Sequence, residues 1–293
     1  MIRNRAVLSR LFDVVNYAVL TLFALSTLAP FLYVLAGSFA SSEELLVKKL
    51  IVIPDTLSIA AYRYIFSTPI IFNSLLVTMF ITVVGTAINL AFTATMAYPL
   101  SRTALRGRSW LMLMIIFTLL FGGGMIPTFL VIKALGLLDT YWSLWLPGAI
   151  SAFSVILLKN FFQQLPEGIE ESAKIDGCND LQILCKIVVP LSMPAIATFA
   201  LFYAVGHWNS FFTAILYIND VNKWPIQVWL RQIVILSTGG FADPNAAAET
   251  AALVPPQSVK FAVIVVAIVP VLIVYPFLQK HFAKGVMLGS VKG

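Results

Sequence analysis

Apolar and charged positions along this chain fall in long blocks. Six runs free of Asp, Glu, Lys and Arg, at 14–42, 64–101, 109–132, 140–158, 187–219 and 261–279, each hold at least 19 residues. As helix, a run of that length spans about 30 Å, the thickness of a bilayer's hydrocarbon core. The pattern therefore predicts an all-α membrane protein with six transmembrane helices. Its expected organisation is an N-terminal segment 1–13, a membrane domain over 14–285 that carries polar loops at 163–190 and 217–260, and a tail at 286–293. Hydrophobic residues make up 60% of the chain and charged residues 11%, a balance that excludes an ordinary soluble domain.

Lys and Arg placement sets the expected orientation. With the N-terminus in the cytoplasm, the inner segments hold Arg3, Arg5, Arg10, Arg102, Arg106, Arg108, Lys159, Lys174, Lys186, Lys280, Lys284 and Lys292, which is 12 of the 19 basic residues. Lys48, Lys49, Arg63, Lys133, Lys223, Arg231 and Lys260 fall outside. Both termini are thus expected to be cytoplasmic, and the polar stretch between the fourth and fifth runs faces the same side. The net charge of +6 is accounted for by this bias and by phospholipid headgroups, so no nucleic-acid partner is implied. The first run is too long for a signal peptide and is expected to be retained.

The stretch 167–190 is a polar island between two apolar runs, and its residues predict two short helices meeting at a bend. Pro166 suits the first helical position, and Glu167, Glu170 and Glu171 put negative charge in the opening turns, where the helix dipole favours it. Gly177 is free to take the left-handed conformation that ends a helix, and Asn179 or Asp180 is placed to cap the next. The expected product is an L-shaped hook with the small residues Ser172, Ala173 and Gly177 at its tip, open to close approach by another protein.

Elsewhere the sequence predicts local features. Residues 55–62 after Pro54 read as a short amphipathic helix, and Ile226 to Leu236 as a helix lying in the membrane interface. Gly122, Gly123 and Gly124, followed by Met125, Ile126 and Pro127, interrupt the third run, as a hinge or, the plainer expectation, as a site of close helix packing. Pro270 and Pro276 predict kinks in the sixth run. His207, Trp208 and Asn209 stand together in the fifth, where polar side chains face a bundle interior, lining a pathway or bonding a neighbouring helix. Cys178 and Cys185 lie on the reducing side, and two thiols without histidines make no metal site.

The hook resembles the EAA signature of permease subunits in binding-protein-dependent ABC importers. Glu171-Ser172-Ala173 is followed after three residues by Gly177 and after nine more by Ile187, Val188, Val189 and Pro190. The signature's spacing is kept, with Ser for its first Ala and Val for its Leu. Gly124-Met125-Ile126-Pro127-Thr128, Leu135 to Tyr141, Trp208-Asn209 and Phe282 to Gly293 are similar to the carbohydrate-uptake, maltose-type branch. The C-terminal stretch resembles the subgroup that imports oligo- and polysaccharides, including uronic-acid polymers such as alginate.

The resemblance implies a type I ABC importer permease bundle in a bacterial cell (inner) membrane. It implies a second permease subunit, expected to be a paralogue, two cytoplasmic ATPase subunits that hold ATP and Mg, an extracytoplasmic solute-binding protein, and a saccharide as cargo. The hook becomes a coupling helix, with Glu170, Glu171, Ser172, Ala173, Asp176 and Gly177 as its ATPase-coupling residues. Glu171 is the expected charged contact, and Lys284 and Lys292 of the tail add a second. Because pyranose rings have apolar faces and hydroxyl edges, Asn89, Tyr98, Tyr203, Trp208 and Asn209 are the candidates for the substrate pathway.

No Gly-x-x-x-x-Gly-Lys-Ser/Thr string occurs, so the chain cradles no nucleotide by that route. An ion-coupled secondary transporter is the main alternative, but the six runs contain no acidic residue and His207 is their only histidine, which argues against proton coupling. A permease for another solute is a further alternative. A membrane enzyme would need a nucleophile, base or metal cluster that two histidines, His207 and His281, do not supply. A passive structural subunit would have no use for the hook.

Overall fold

A computed structural model describes residues 2–48, 50–237 and 257–290, and among these the regular structure is all helical. In chain order the helices are α1 (Ile2–Ser38), α2 (Ser42–Val47), α3 (Ala60–Ser67), α4 (Pro69–Ser101), α5 (Arg108–Leu120), α6 (Met125–Ala134), α7 (Trp142–Trp145) and α8 (Ala152–Phe162). They continue as α9 (Glu167–Ile175), α10 (Asp180–Ile183), α11 (Val189–Leu191), α12 (Met193–Trp208), α13 (Phe212–Tyr217), α14 (Ile226–Ser237) and α15 (Gln257–Ser290).

The six apolar runs become helices of three kinds. Phe12–Ser38, Pro69–Ser101 and Gln257–Pro276 are each long and apolar enough to cross a bilayer unbroken. The third and fifth runs are bent pairs: α5 and α6 meet at 113°, and Asp180–Leu191 meets α12 at 87°. Counting each bent pair as one span gives up to five. The fourth run, 140–158, is not one helix, because Pro147 and Gly148 separate α7 from α8. Helix α15 continues through Pro270 and Pro276.

Two local expectations shift. The glycine triplet forms a bend of 113°, and within this chain a Cβ added at Gly122 or Gly123 would meet nothing within 4 Å. Gly124, at φ +82°, opens α6 in a conformation that L side chains avoid. The helix expected at 55–62 begins instead at Ala60 and runs to Ser67. The backbone before it is pinned, with the Asp55 N–H donating to the Glu44 carboxylate at 3.0 Å and Lys48 paired with both acids. A helix is present where one was expected from Ile226, as α14.

The described chain forms two compact units, Met1–Pro69 with Leu230–Ile268 and Ile70–Trp229 with Val269–Gly293. In the first, the end of α1 is fastened by a hydrogen bond between the Ser38 and Tyr62 hydroxyls at 2.7 Å, and the Phe261 ring lies against Gly37 and Tyr33. Most of the large apolar side chains of α1 from Phe12 to Leu35 are exposed, as in a helix whose solvent is lipid or another chain. In the second unit, Ala94, Ala97 and Tyr98 of α4 pack with Leu158 and Phe162 of α8, with Ala173 of α9, and with Ile183. Residues 238–256 of the 217–260 loop, together with the side chains of Lys284 and Lys292, lie outside the described residues.

Candidate functional site

The hook forms from local signals. Pro166 is the residue just before α9, at φ −60° and ψ 127°, rather than its first helical residue. Helix α9 closes with the paired bonds of a Schellman motif, Cys178 N–H to the Ala173 carbonyl at 2.9 Å and Gly177 N–H to that of Lys174 at 3.1 Å. Gly177 takes φ +80° to allow it. Asn179, the cap in place of Asp180, then builds a capping box. Its Oδ1 accepts from the Gln182 N–H at 2.8 Å, and the Gln182 side chain accepts from the Asn179 N–H at 3.0 Å. A π-helical turn over Leu184–Val188 carries the chain from α10 into α11. Lys174 and Asp180 face one another across the bend at 3.7 Å, exposed enough that water screens most of their attraction.

The two faces of α9 differ. Ala173 is buried in the unit's core, and Glu170, three residues earlier, is 8% exposed. The Glu170 carboxylate forms an ion pair with Arg102, which follows α4 directly. Tyr98, one turn earlier on α4, donates its hydroxyl to Glu170 Oε2 at 3.4 Å, and its ring lies 5.0 Å from the Arg102 guanidinium carbon. Ile169, Glu171, Ser172, Ile175, Asp176 and Gly177 point outward, Ile175 at 87% exposure. The Ser172 hydroxyl bonds back to the Gly168 carbonyl at 2.8 Å. Of the six residues expected at an ATPase contact, Glu171, Ser172, Asp176 and Gly177 are therefore presented outward. Ala173 is buried, and Glu170 faces inward, its charge paired with that of Arg102 within the chain.

Within the apolar helices a second polar cluster is centred on Asn89, which is 1% exposed. Its amide nitrogen donates to the carbonyls of Gly148 and Ala149 at 2.5 and 3.1 Å, and its oxygen lies 2.6 Å from His207 Nε2. Those carbonyls were freed by the break between α7 and α8, and such groups need partners away from water. One turn along α4, the Thr93 hydroxyl is 2.7 Å from that of Tyr203.

The five pathway candidates do not converge on one site. Asn89 serves the scaffold through both ends of its amide. Tyr203 pairs with Thr93. Tyr98 belongs to the hook. Asn209 caps α12 and is exposed. Trp208 is buried beside an apolar cleft of about 250 Å³ lined by Met79, Val83, Leu201, Pro270 and Val274. Sequence reasoning missed Arg102 as a partner of Glu170, having counted it only toward orientation, and it missed Gly85 and Gly148.

A third cluster joins the turn before α7 to the segment after α13. Asp139 sits at φ +59° and accepts from the backbone N–H groups of Asn219 and Asp220 at 3.1 and 3.0 Å, while Lys223 reaches its carboxylate at 3.3 Å. These contacts, the bond from Asp220 first, hold its carboxyl below the ordinary range. No three His, Cys, Asp or Glu side chains gather to hold a metal among the described residues.

Membrane-length helices, some of them broken, and an outward hook define a multi-span membrane protein. The chain matches the family described as the binding-protein-dependent transport system inner membrane component over residues 2–288, and it belongs to that family. It is thus an ABC transporter permease component, without an ATPase site of its own. It is 61% identical, over 97% of its length and 99% of the relative's, to the polygalacturonan/rhamnogalacturonan transport system permease protein YtcP of Bacillus subtilis (strain 168). To Protein LplC of the same organism it is 56% identical, over 97% of this chain and 96% of that one. Among solved structures it resembles a chain of a bacterial ABC transporter involved in the import of the acidic polysaccharide alginate. There the TM-score is 0.85 and the identity 35%, covering 93% of this chain and 97% of that one.

Proposed function

We propose that this permease carries an acidic, galacturonate-containing saccharide across a bacterial cell membrane, delivered by an extracytoplasmic solute-binding protein and driven by ATPase subunits that hold ATP and Mg. The observation that carries this reading is the 61% identity to a polygalacturonan/rhamnogalacturonan permease along almost the whole of both chains. The alginate importer adds a second acidic polysaccharide at a lower identity. A paralogous permease completes the bundle in this reading.

The hook faces the cytoplasm and docks on the ATPase through Glu171, Ser172, Ile175, Asp176 and Gly177. Its form supports this, since two short helices joined at the Gly177 bend hold Ser172, Gly177 and an exposed Ile175 clear of the core. ATP binding favours one arrangement of the bundle and loaded binding protein another, and each shifts the population only by its differential affinity. The test is uptake into proteoliposomes holding the complete importer. Oligogalacturonides are expected to be transported and to stimulate ATP hydrolysis in the presence of binding protein, while neutral maltooligosaccharides are not. Equal handling of both would overturn the acidic-saccharide reading.

A further inference from the structure

Among the described residues, the hook is joined to its unit by apolar packing, by the chain on either side, and by one ion pair. That contact reaches across 68 positions of sequence, from Glu170 to Arg102. The two side chains are 10% and 22% exposed, so both charges have lost most of their water. Such a pair holds no advantage in stability over an apolar contact of similar size, because desolvation offsets the attraction. What it adds is selectivity: each desolvated charge is matched only while the other stays beside it, whereas apolar surfaces accept many partners. The Tyr98 hydroxyl and ring fix the pair from the α4 side.

Helix α4 also carries the polar ties inside the membrane. Thirteen residues before Arg102, Asn89 meets His207 of α12 and the carbonyls of Gly148 and Ala149; Thr93 meets Tyr203. One helix therefore runs from the base of the hook to the bonds that fix α12 and the α7–α8 break.

We propose that the Arg102–Glu170 pair passes displacement of the hook into α4, making both of them positioning residues for the coupling of ATP hydrolysis to transport. This rests on the reading of the hook as the ATPase contact. With the pair intact, α4 moves with the hook as one lever and the Asn89 and Thr93 contacts are carried along. Without it, the hook still binds the ATPase through its outer face, but its motion reaches the bundle only through the flanking chain.

The experiment uses the complete importer in proteoliposomes and reads saccharide transported per ATP hydrolysed. It compares wild type, Glu170→Gln, Arg102→Gln and the exchanged pair Arg102→Glu/Glu170→Arg. Each single variant is expected to copurify with the ATPase and to lower the ratio at least about fivefold, the scale of an ordinary coupling energy, and the exchanged pair to recover a substantial part of it. A wild-type ratio in both single variants overturns the proposal, as does an exchanged pair no better than either single variant. Loss of ATPase copurification from the single variants also overturns it, in favour of a folding staple. The hook reading fails separately, if wild type copurifies with no ATPase or if Glu171→Ala and Ile175→Asp leave ATPase binding and coupling unchanged.

Discussion

The imidazole of His207 occupies the space that a side chain at Gly85 would need. A Cβ built on residue 85 would stand 2.6 Å from Nε2 and 2.7 Å from Cε1, and the ring has no freedom to withdraw while Nε2 is bonded to Asn89 at 2.6 Å. Glycine here is a matter of close approach between α4 and α12. Gly85→Ala is therefore expected to destabilise the permease by about 1–3 kcal/mol, the usual cost of overpacking. Thermal unfolding in detergent would show a lower Tm, and His207→Ala in the same chain would return part of the loss, because the two changes share one contact.

Asn89→Leu makes a different prediction, since it preserves size but removes both ends of the amide. The carbonyls of Gly148 and Ala149 would lose their donor and His207 its partner. A buried polar group left unpaired costs about 1–3 kcal/mol, so the loss is expected to exceed that of Gly85→Ala. Asn89→Asp, which sets a carboxylate oxygen against the two carbonyl oxygens in a buried site, is expected to cost at least as much. The check is the order of the three Tm values; an unchanged Tm in Asn89→Leu contradicts the scaffolding role.

The outer face of the hook should answer to substitution without any effect on stability. Ile175 is 87% exposed and Glu171 also points outward, so neither contributes to the unit's core. Ile175→Asp is expected to weaken ATPase binding by about tenfold, or roughly 1.4 kcal/mol, with Tm unchanged. Ala173→Leu should do the reverse, because Ala173 is buried against α4 and α8 and a larger side chain would lift α9 from the core. Titration of labelled ATPase against detergent-solubilised permease, beside thermal unfolding of the permease alone, separates the two effects.

What was legible beforehand was what neighbouring residues decide. Gly177 and Asn179 end one helix and start the next through bonds spanning a few residues, and both do so in the structure. Membrane-length apolar runs follow from the bilayer as solvent, and the first, second and sixth of them appear as unbroken helices. Contacts between distant residues leave no such trace. Nothing in the spacing of Arg102 and Glu170 marks them as a pair, so Glu170 read only as an ATPase-coupling residue beside Glu171. The fourth run is apolar enough to span, but its Pro147–Gly148 break is tolerated because Asn89, 59 residues away, supplies the missing donor. Asn89 itself looked like a pathway group for the same reason, a polar side chain at depth whose partners were out of sight.

The Asp139 cluster gives a pH dependence whose sign follows from its contacts. Two backbone N–H groups and Lys223 favour the charged carboxylate in the folded chain and hold its pKa below the ordinary value. The stabilisation is therefore present above the unfolded pKa and is lost as pH falls through the lower, folded one. Asp139→Asn tolerates the φ of +59° about as well as Asp and keeps an oxygen for the two N–H groups, while it removes the charge and the second oxygen that accepts from Lys223. Thermal unfolding from about pH 6 to about pH 3, across the carboxylate range, is expected to show a gap between wild type and variant that is widest at the upper end and narrows as the acid protonates. A gap of constant size would mean that the side chain acts as a neutral acceptor and that its charge contributes nothing.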